Sequence, residues 1–157
     1  MVVVIGDETI RQTDTIICNT NQKTRRLCCL PGAGVKDVSA GLEDNLKYEG
    51  KDPLVVLHIG TNDIGRVGQD DLRREFEELG SKLKSRSSKV VISGLLPVPY
   101  DNWYRNKQIK DLNAWLKEWC GTQGFLFMGH WHEYWGEKRA LSEKRAAFKS
   151  CWDKCPS

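Results

Sequence analysis

Leu54-Val-Val-Leu-His-Ile-Gly-Thr-Asn-Asp63 places five apolar residues in its first six positions and then turns at a glycine into three polar residues. Val55 and Val56 are adjacent and both apolar, so in a strand they point to opposite faces. A strand that is apolar on both faces belongs inside a parallel sheet covered on both sides. Pro53 stands just ahead of the run and Gly60 closes it.

The same signature recurs along the chain. Val2–Ile5 runs into Gly6-Asp7-Glu8, and Leu27–Leu30 runs into Pro31-Gly32-Ala33-Gly34. Lys89–Leu96 is closed by Pro97-Val98-Pro99, and Phe125–Met128 is followed by Gly129–His132. Between these runs the apolar spacing changes to threes and fours, the period of a helix with one buried face. Val35–Tyr48 carries Val35, Val38, Leu42 and Leu46. Asp70–Ser85 carries Leu72, Phe76, Leu79 and Leu83, and Lys107–Gln123 carries Ile109, Leu112, Leu116 and Trp119. Gly124 supplies the stop for that last helix. Leu141–Phe148 reads as a final helix.

Strands that alternate with helices predict an α/β fold, with a five-stranded parallel sheet in a three-layer, doubly wound (flavodoxin-like) arrangement. Ligands of such folds bind beyond the carboxyl ends of the strands. At those ends lie Gly6-Asp7-Glu8, Pro31-Gly32, Gly60-Thr61-Asn62-Asp63, Pro97–Tyr100 and Gly129–His132. Every strand needs a turn, but these turns carry an unusual share of polar and charged side chains. They are read as one site.

Bulk properties bound the rest. A chain of 157 residues, 39% hydrophobic and 29% charged, is long enough for one domain with a real core. No apolar run approaches the ~20 residues of a membrane span. Met1 leads straight into Val2–Ile5 without a basic segment or a cleavage site, so an intracellular location is expected. The six cysteines, at 18, 28, 29, 120, 151 and 155, are too sparse for a disulfide scaffold and are expected to be reduced. Cys151-x-x-x-Cys155 is looser than a zinc half-site and has no second half-site, so no metal or other cofactor is expected.

The net charge of +3 is local. Six of the 24 Lys and Arg and three of the 21 Asp and Glu fall in residues 137–157, which leaves 18 of each sign elsewhere. Residues 1–135 are therefore read as the domain. Residues 136–157 are read as an atypical basic, Cys-containing helix or tail, either a solvated face or a weak nucleic-acid contact.

The strand-end residues also carry a family resemblance. Val4-Ile-Gly-Asp7 resembles the first block of the SGNH (GDSL-type) hydrolases, Pro31-Gly-Ala33 the second, and Gly60-Thr-Asn-Asp63 the third. C-L-P-G-A-G-V, V-V-L-H-I-G-T-N-D-I, S-G-L-L-P-V-P and N-A-W-L-K-E-W-C resemble, more narrowly, the esterase-like domain of vertebrate LINE-type retroelement proteins. The likeness runs from about residue 2 to about residue 135.

An ester hydrolase needs an activated nucleophile and donors aimed at the developing oxyanion. The resemblance implies that Gly32 (backbone N–H) and Asn62 (side-chain amide) are oxyanion donors, with Asp7, Gly60 and Asp63 in support. It also implies a serine after Asp7 and a histidine in a late D-x-x-H. Glu8 stands in the serine's place, and no histidine follows His132. Losing one member of such a triad costs about 10⁴–10⁶ in kcat.

Substitutes are weak. Thr9 is one residue out of register at a strand–helix turn. A glutamate nucleophile needs a water-activating partner. His130 and His132, with Glu8 or Asp63, make a thin metal set, and His58, inside the third strand, reads as a core histidine. Trp115, Trp119, Trp131 and Trp135 read as packing residues, whereas Trp103 and Tyr104 are placed to line a pocket. The expectation is a catalytically degenerate, esterase-like protein of retroelement origin with a binding role, its Glu8 carboxylate held by the Gly32 and Asn62 donors. Two alternatives stand beside it. One is a hydrolase of acyl or acetyl esters with residual or altered activity on a small acyl-ester ligand. The other is a nucleic-acid-associated module that acts through residues 137–157.

Overall fold

The computed structural model describes residues 2–13, 25–98 and 103–129. Five strands, β1 (Val2–Gly6), β2 (Arg25–Cys29), β3 (Leu54–His58), β4 (Lys89–Ser93) and β5 (Leu126–Met128), form one sheet in the order β2-β1-β3-β4-β5. Every neighbouring pair is parallel. Three helices connect them: α1 (Val35–Leu46), α2 (Gln69–Arg86) and α3 (Trp103–Gln123).

The steps from β2 to β3, β4 and β5 all run in one direction across the sheet. Right-handed crossovers therefore put α1, α2 and α3 on one face. Their apolar stripes join Val3, Ile5, Val55, Leu57, Val90 and Ile92 in one buried cluster. The step from β1 to β2 runs the other way, and its described part, the 3₁₀ turn after β1, packs on the opposite face. There Ile10, from the 3₁₀ turn after β1, is buried with Val4, Val56 and Val91. The rest of the expected third layer, including the helix expected at Leu141–Phe148, lies outside the described residues.

The helix stripes fall where the spacing placed them: Val35, Val38, Leu42 and Leu46 in α1, and Leu72, Phe76, Leu79 and Leu83 in α2. In α3, Ile109, Leu112, Leu116 and Trp119 are buried. Asp70 and Asp71 in the first turn of α2, and Lys84 and Arg86 in its last, match the sign of the helix dipole. Trp115 stacks on Trp119 at 5.4 Å, and Phe125 meets Trp119 edge-on at 5.6 Å. This aromatic stack reaches α2 at Gly80, where a Cβ would lie 2.5 Å from the Trp119 ring.

Several boundaries shift by one or two residues, and the two that differ most are the start of α3 and the end of β4. Helix α3 begins at Trp103 rather than Lys107; its first turn carries no apolar stripe to mark it, since Trp103 and Tyr104 are exposed and the buried Asn106 is polar. Strand β4 ends at Ser93 rather than Leu96, because side chains of α3 take over the backbone pairing. Asn113 donates Nδ2–H to the Leu95 carbonyl and accepts the Leu95 N–H, and Asn106 makes the same pair of bonds with Val98. Gly124, at φ +76°, ends α3, and the Phe125 N–H closes on the Cys120 carbonyl at 2.9 Å. That bond makes Phe125 part of the cap and leaves β5 to start at Leu126.

Candidate functional site

In the strand order 2-1-3-4-5, the connections diverge at β1 and β3, and the crevice beyond their carboxyl ends is the place for a ligand. Gly6 ends β1 there. A Cβ on it would lie 2.5 Å from the His58 carbonyl oxygen of β3, so only glycine lets the two strand ends approach this closely. The Leu30 N–H donates to the Gly6 carbonyl at 2.8 Å, which brings the loop after β2 to the same point.

Asp7 follows, fully buried. Its Oδ1 accepts the Thr9 N–H at 2.8 Å and its carbonyl accepts the Ile10 N–H, which starts the 3₁₀ turn. The Asp7 Oδ2 has no hydrogen-bond partner among the described residues, and burial raises the carboxyl's pKa, with the Glu8 charge adding to the rise. Cys29 Sγ, at the end of β2, lies 3.5 Å from the Asp7 carbonyl oxygen.

Glu8 projects from the turn at the protein surface. Its Oε2 accepts the Gly32 N–H at 2.8 Å and the Asn62 Nδ2–H at 3.3 Å. These bonds hold its pKa below the ordinary glutamate value. The Gly32 N–H dominates that shift; burial opposes it, and Glu8's own N–H, Asn62 and the Arg11 charge add to it.

The donors are positioned independently of Glu8. Gly32, at φ +75°, takes a turn conformation that favours glycine. The Asn62 amide also donates to the Ala33 carbonyl at 3.0 Å, which ties the β3 loop to the β2 loop. Next to it, the buried Asp63 accepts the Val35 N–H of the first turn of α1 through Oδ2 at 2.9 Å. The Asp63 carboxyl fills the space a Cβ on Gly34 would need, and burial raises its pKa. Gly60, at φ +121°, packs under Phe76 and Leu95 and accepts the Asp63 N–H.

Glu8, Gly32 and Asn62 thus converge on one oxygen, with Asp7, Gly60 and Asp63 beneath them. His58 points into the sheet instead. It is buried, its Nδ1 lies 3.0 Å from Ser93 Oγ, and burial pushes its pKa down to about 4. Trp115 and Trp119 pack against the core. Trp103 and Tyr104 are 69% and 65% exposed on the first turn of α3. Their neighbour Arg105 donates to the Thr61 carbonyl at 3.1 Å and braces the loop that carries Asn62. A single arginine 44 residues from its acceptor leaves no sequence signal for this contact. His130, His132, Trp131, Trp135 and the basic segment 137–157 lie outside the described residues. Among the described residues no cluster of His, Cys, Asp or Glu could hold a metal ion, and no helix is long and apolar enough to cross a membrane.

The family profile described as GDSL-like lipase/acylhydrolase matches residues 15–148, a span that begins after Glu8. The fold is similar to a proposed acylhydrolase from Bacteroides fragilis (TM-score 0.79, 18% identity, 98% of this chain and 84% of that one). It is also similar to a GDSL-like lipase from Bacteroides thetaiotaomicron (TM-score 0.78, 18% identity, 98% and 85%). At these identities the likeness is one of fold. The esterase domain of the ORF1 protein from the zebrafish ZfL2-1 retrotransposon is 28% identical over 98% of this chain and 99% of that one, with a TM-score of 0.46. No curated protein matches the sequence.

Proposed function

The chain belongs to the GDSL-like lipase/acylhydrolase family, and from that premise we propose that it is a member that no longer hydrolyses esters and keeps its strand-end site for binding. One observation carries this reading. The Glu8 carboxylate accepts both the Gly32 and the Asn62 donors at the place where the family resemblance puts a serine. An oxyanion hole works because its donors are free to strengthen on a charge that develops during reaction. Donors already satisfied by a resident carboxylate lose that differential, and Glu8 supplies no hydroxyl to attack.

The sequence supports the same reading from the other half of the machinery, because no histidine follows His132 to act as the family's base. The retroelement-type blocks around Pro31, Gly60, Leu95 and Trp115 favour descent from a mobile-element esterase. The sparse cysteines, six in 157 residues, favour an intracellular setting.

The test is hydrolysis of a small activated acetyl ester, together with labelling by a serine-reactive fluorophosphonate, in wild type and Glu8→Ser. The reading predicts no turnover and no labelling in wild type, and no turnover from Glu8→Ser, since a serine without a base stays a weak nucleophile. Wild-type turnover above a heat-inactivated control would establish the alternative, a hydrolase with altered chemistry.

A further inference from the structure

The site's ligand class follows from how its donors are held. Both would remain in place if Glu8 were absent. Gly32 is fixed by its turn, Asn62 by the Ala33 carbonyl, and the two loops by the Asp63–Val35 bond. Glu8 itself sits at the surface and reaches the donors with a flexible side chain. A preorganised pair of N–H groups at an accessible point, filled by an exposed side chain with rotatable bonds, is a site whose occupant can exchange.

We propose that Gly32 N–H and Asn62 Nδ2–H form a binding site for an external monocarboxylate, with Glu8 as its displaceable resident. The inference rests on the reading of Glu8 given above and adds what the site takes. Two donors meeting on one oxygen match a carboxylate, which the resident group already demonstrates. The charges around the point set the limit on ligand charge. Arg11 favours an anion, whereas the buried Asp7 next to Glu8 disfavours a second negative charge. A singly charged carboxylate fits, and a phosphate dianion fits less well. When an acid enters, the Glu8 carboxylate leaves the donors for solvent, where hydration replaces the lost bonds.

The experiment is a titration of the folded protein with sodium acetate at constant ionic strength and pH 7, followed by ¹H–¹⁵N spectra. In Glu8→Ala the Gly32 amide and the Asn62 side-chain amide are expected to shift saturably. In wild type the same shifts should need about tenfold more acetate if the resident group fills the donors nine-tenths of the time. Glu8→Gln keeps the length and loses the charge; it is expected to fall between the two and serves if Glu8→Ala does not fold. N-acetylglycine in place of acetate tells a chain-terminal carboxylate from a free small acid by which of the two binds more tightly. Absence of a saturable shift in a folded Glu8→Ala or Glu8→Gln overturns the proposal, as does inorganic phosphate binding as tightly as acetate. Ester turnover bears on the previous section's reading alone, so the two can fail separately.

Discussion

Asp63→Ala tests the frame that holds the donors. Asp63 is 8% exposed, and its Oδ2 takes the Val35 N–H at 2.9 Å across 28 residues of sequence. That N–H belongs to the first turn of α1, where no helical carbonyl is available to accept it. Alanine leaves it buried without a partner and opens a void against Gly34. A hydrogen bond to a charged acceptor is worth about 1.5–3 kcal/mol, and removing a buried carboxylate returns part of that, so a net loss of about 2 kcal/mol is expected. For a chain of this size that is a fall in Tm of roughly 4–8 °C. Thermal and urea unfolding measure it. A second readout is specific to the site. With one of the two bonds between the β2 and β3 loops gone and only the Asn62–Ala33 bond left, the paired donors are held less firmly and the Glu8 pKa should rise toward the ordinary value. A loss below about 0.5 kcal/mol, within the range of an ordinary surface substitution, or an unchanged Glu8 pKa in a destabilised variant, would refute the reasoning.

Other changes probe the core and the buried charge. Gly80→Ala adds a Cβ 2.5 Å from the Trp119 ring, which Trp115 and Phe125 hold in place, so relief by rotation is blocked. The overpacking cost of about 1–3 kcal/mol should meet or exceed the ~1 kcal/mol gained in helix propensity, and a clear stabilisation in urea would contradict this packing. Asn113→Ala removes both bonds that hold the Leu95 backbone and should cost about 1–3 kcal/mol, with faster amide exchange at Leu95 as the local check. Asp7→Asn should gain on wild type as pH rises. The folded-state pKa of Asp7 is raised, so wild type loses stability between the unfolded value near 3.8 and the folded value, and the penalty is constant above both. The gain is up to about 1.4 kcal/mol per unit of pKa difference, and urea midpoints at pH 3 and pH 7 that move in parallel would contradict it.

Much of this fold was legible because burial on both faces leaves a continuous apolar run, and burial on one face leaves a stripe. Val55 and Val56, and Leu72 through Leu83, carry those signals without help from distant residues. What was not legible depends on contacts between segments far apart in the chain. Asn106 and Asn113 end β4 from across α3, and neither looks unusual in its own helix. Arg105 reaches Thr61, and Asp63 reaches Val35, with no local pattern to announce either bond. The tip of β1 lies between these cases. Gly6-Asp7 marks a turn by itself, but pairing Glu8 with Gly32 and Asn62 required the family resemblance, since the three lie in separate loops.

A carboxylate occupies the Gly32 and Asn62 donors where a nucleophile would be expected. The direct measurement is an NMR titration of the Glu8 side-chain carboxyl carbon, with the Gly32 amide proton followed over the same pH range. A Glu8 pKa below 4.5 and a Gly32 amide shift with the same midpoint are expected. Glu8 then adds stability above its unfolded pKa, and that stability is lost as pH falls through the lower, folded one. A Glu8 pKa at or above 4.5, or a Gly32 amide indifferent to that titration, would contradict that occupancy.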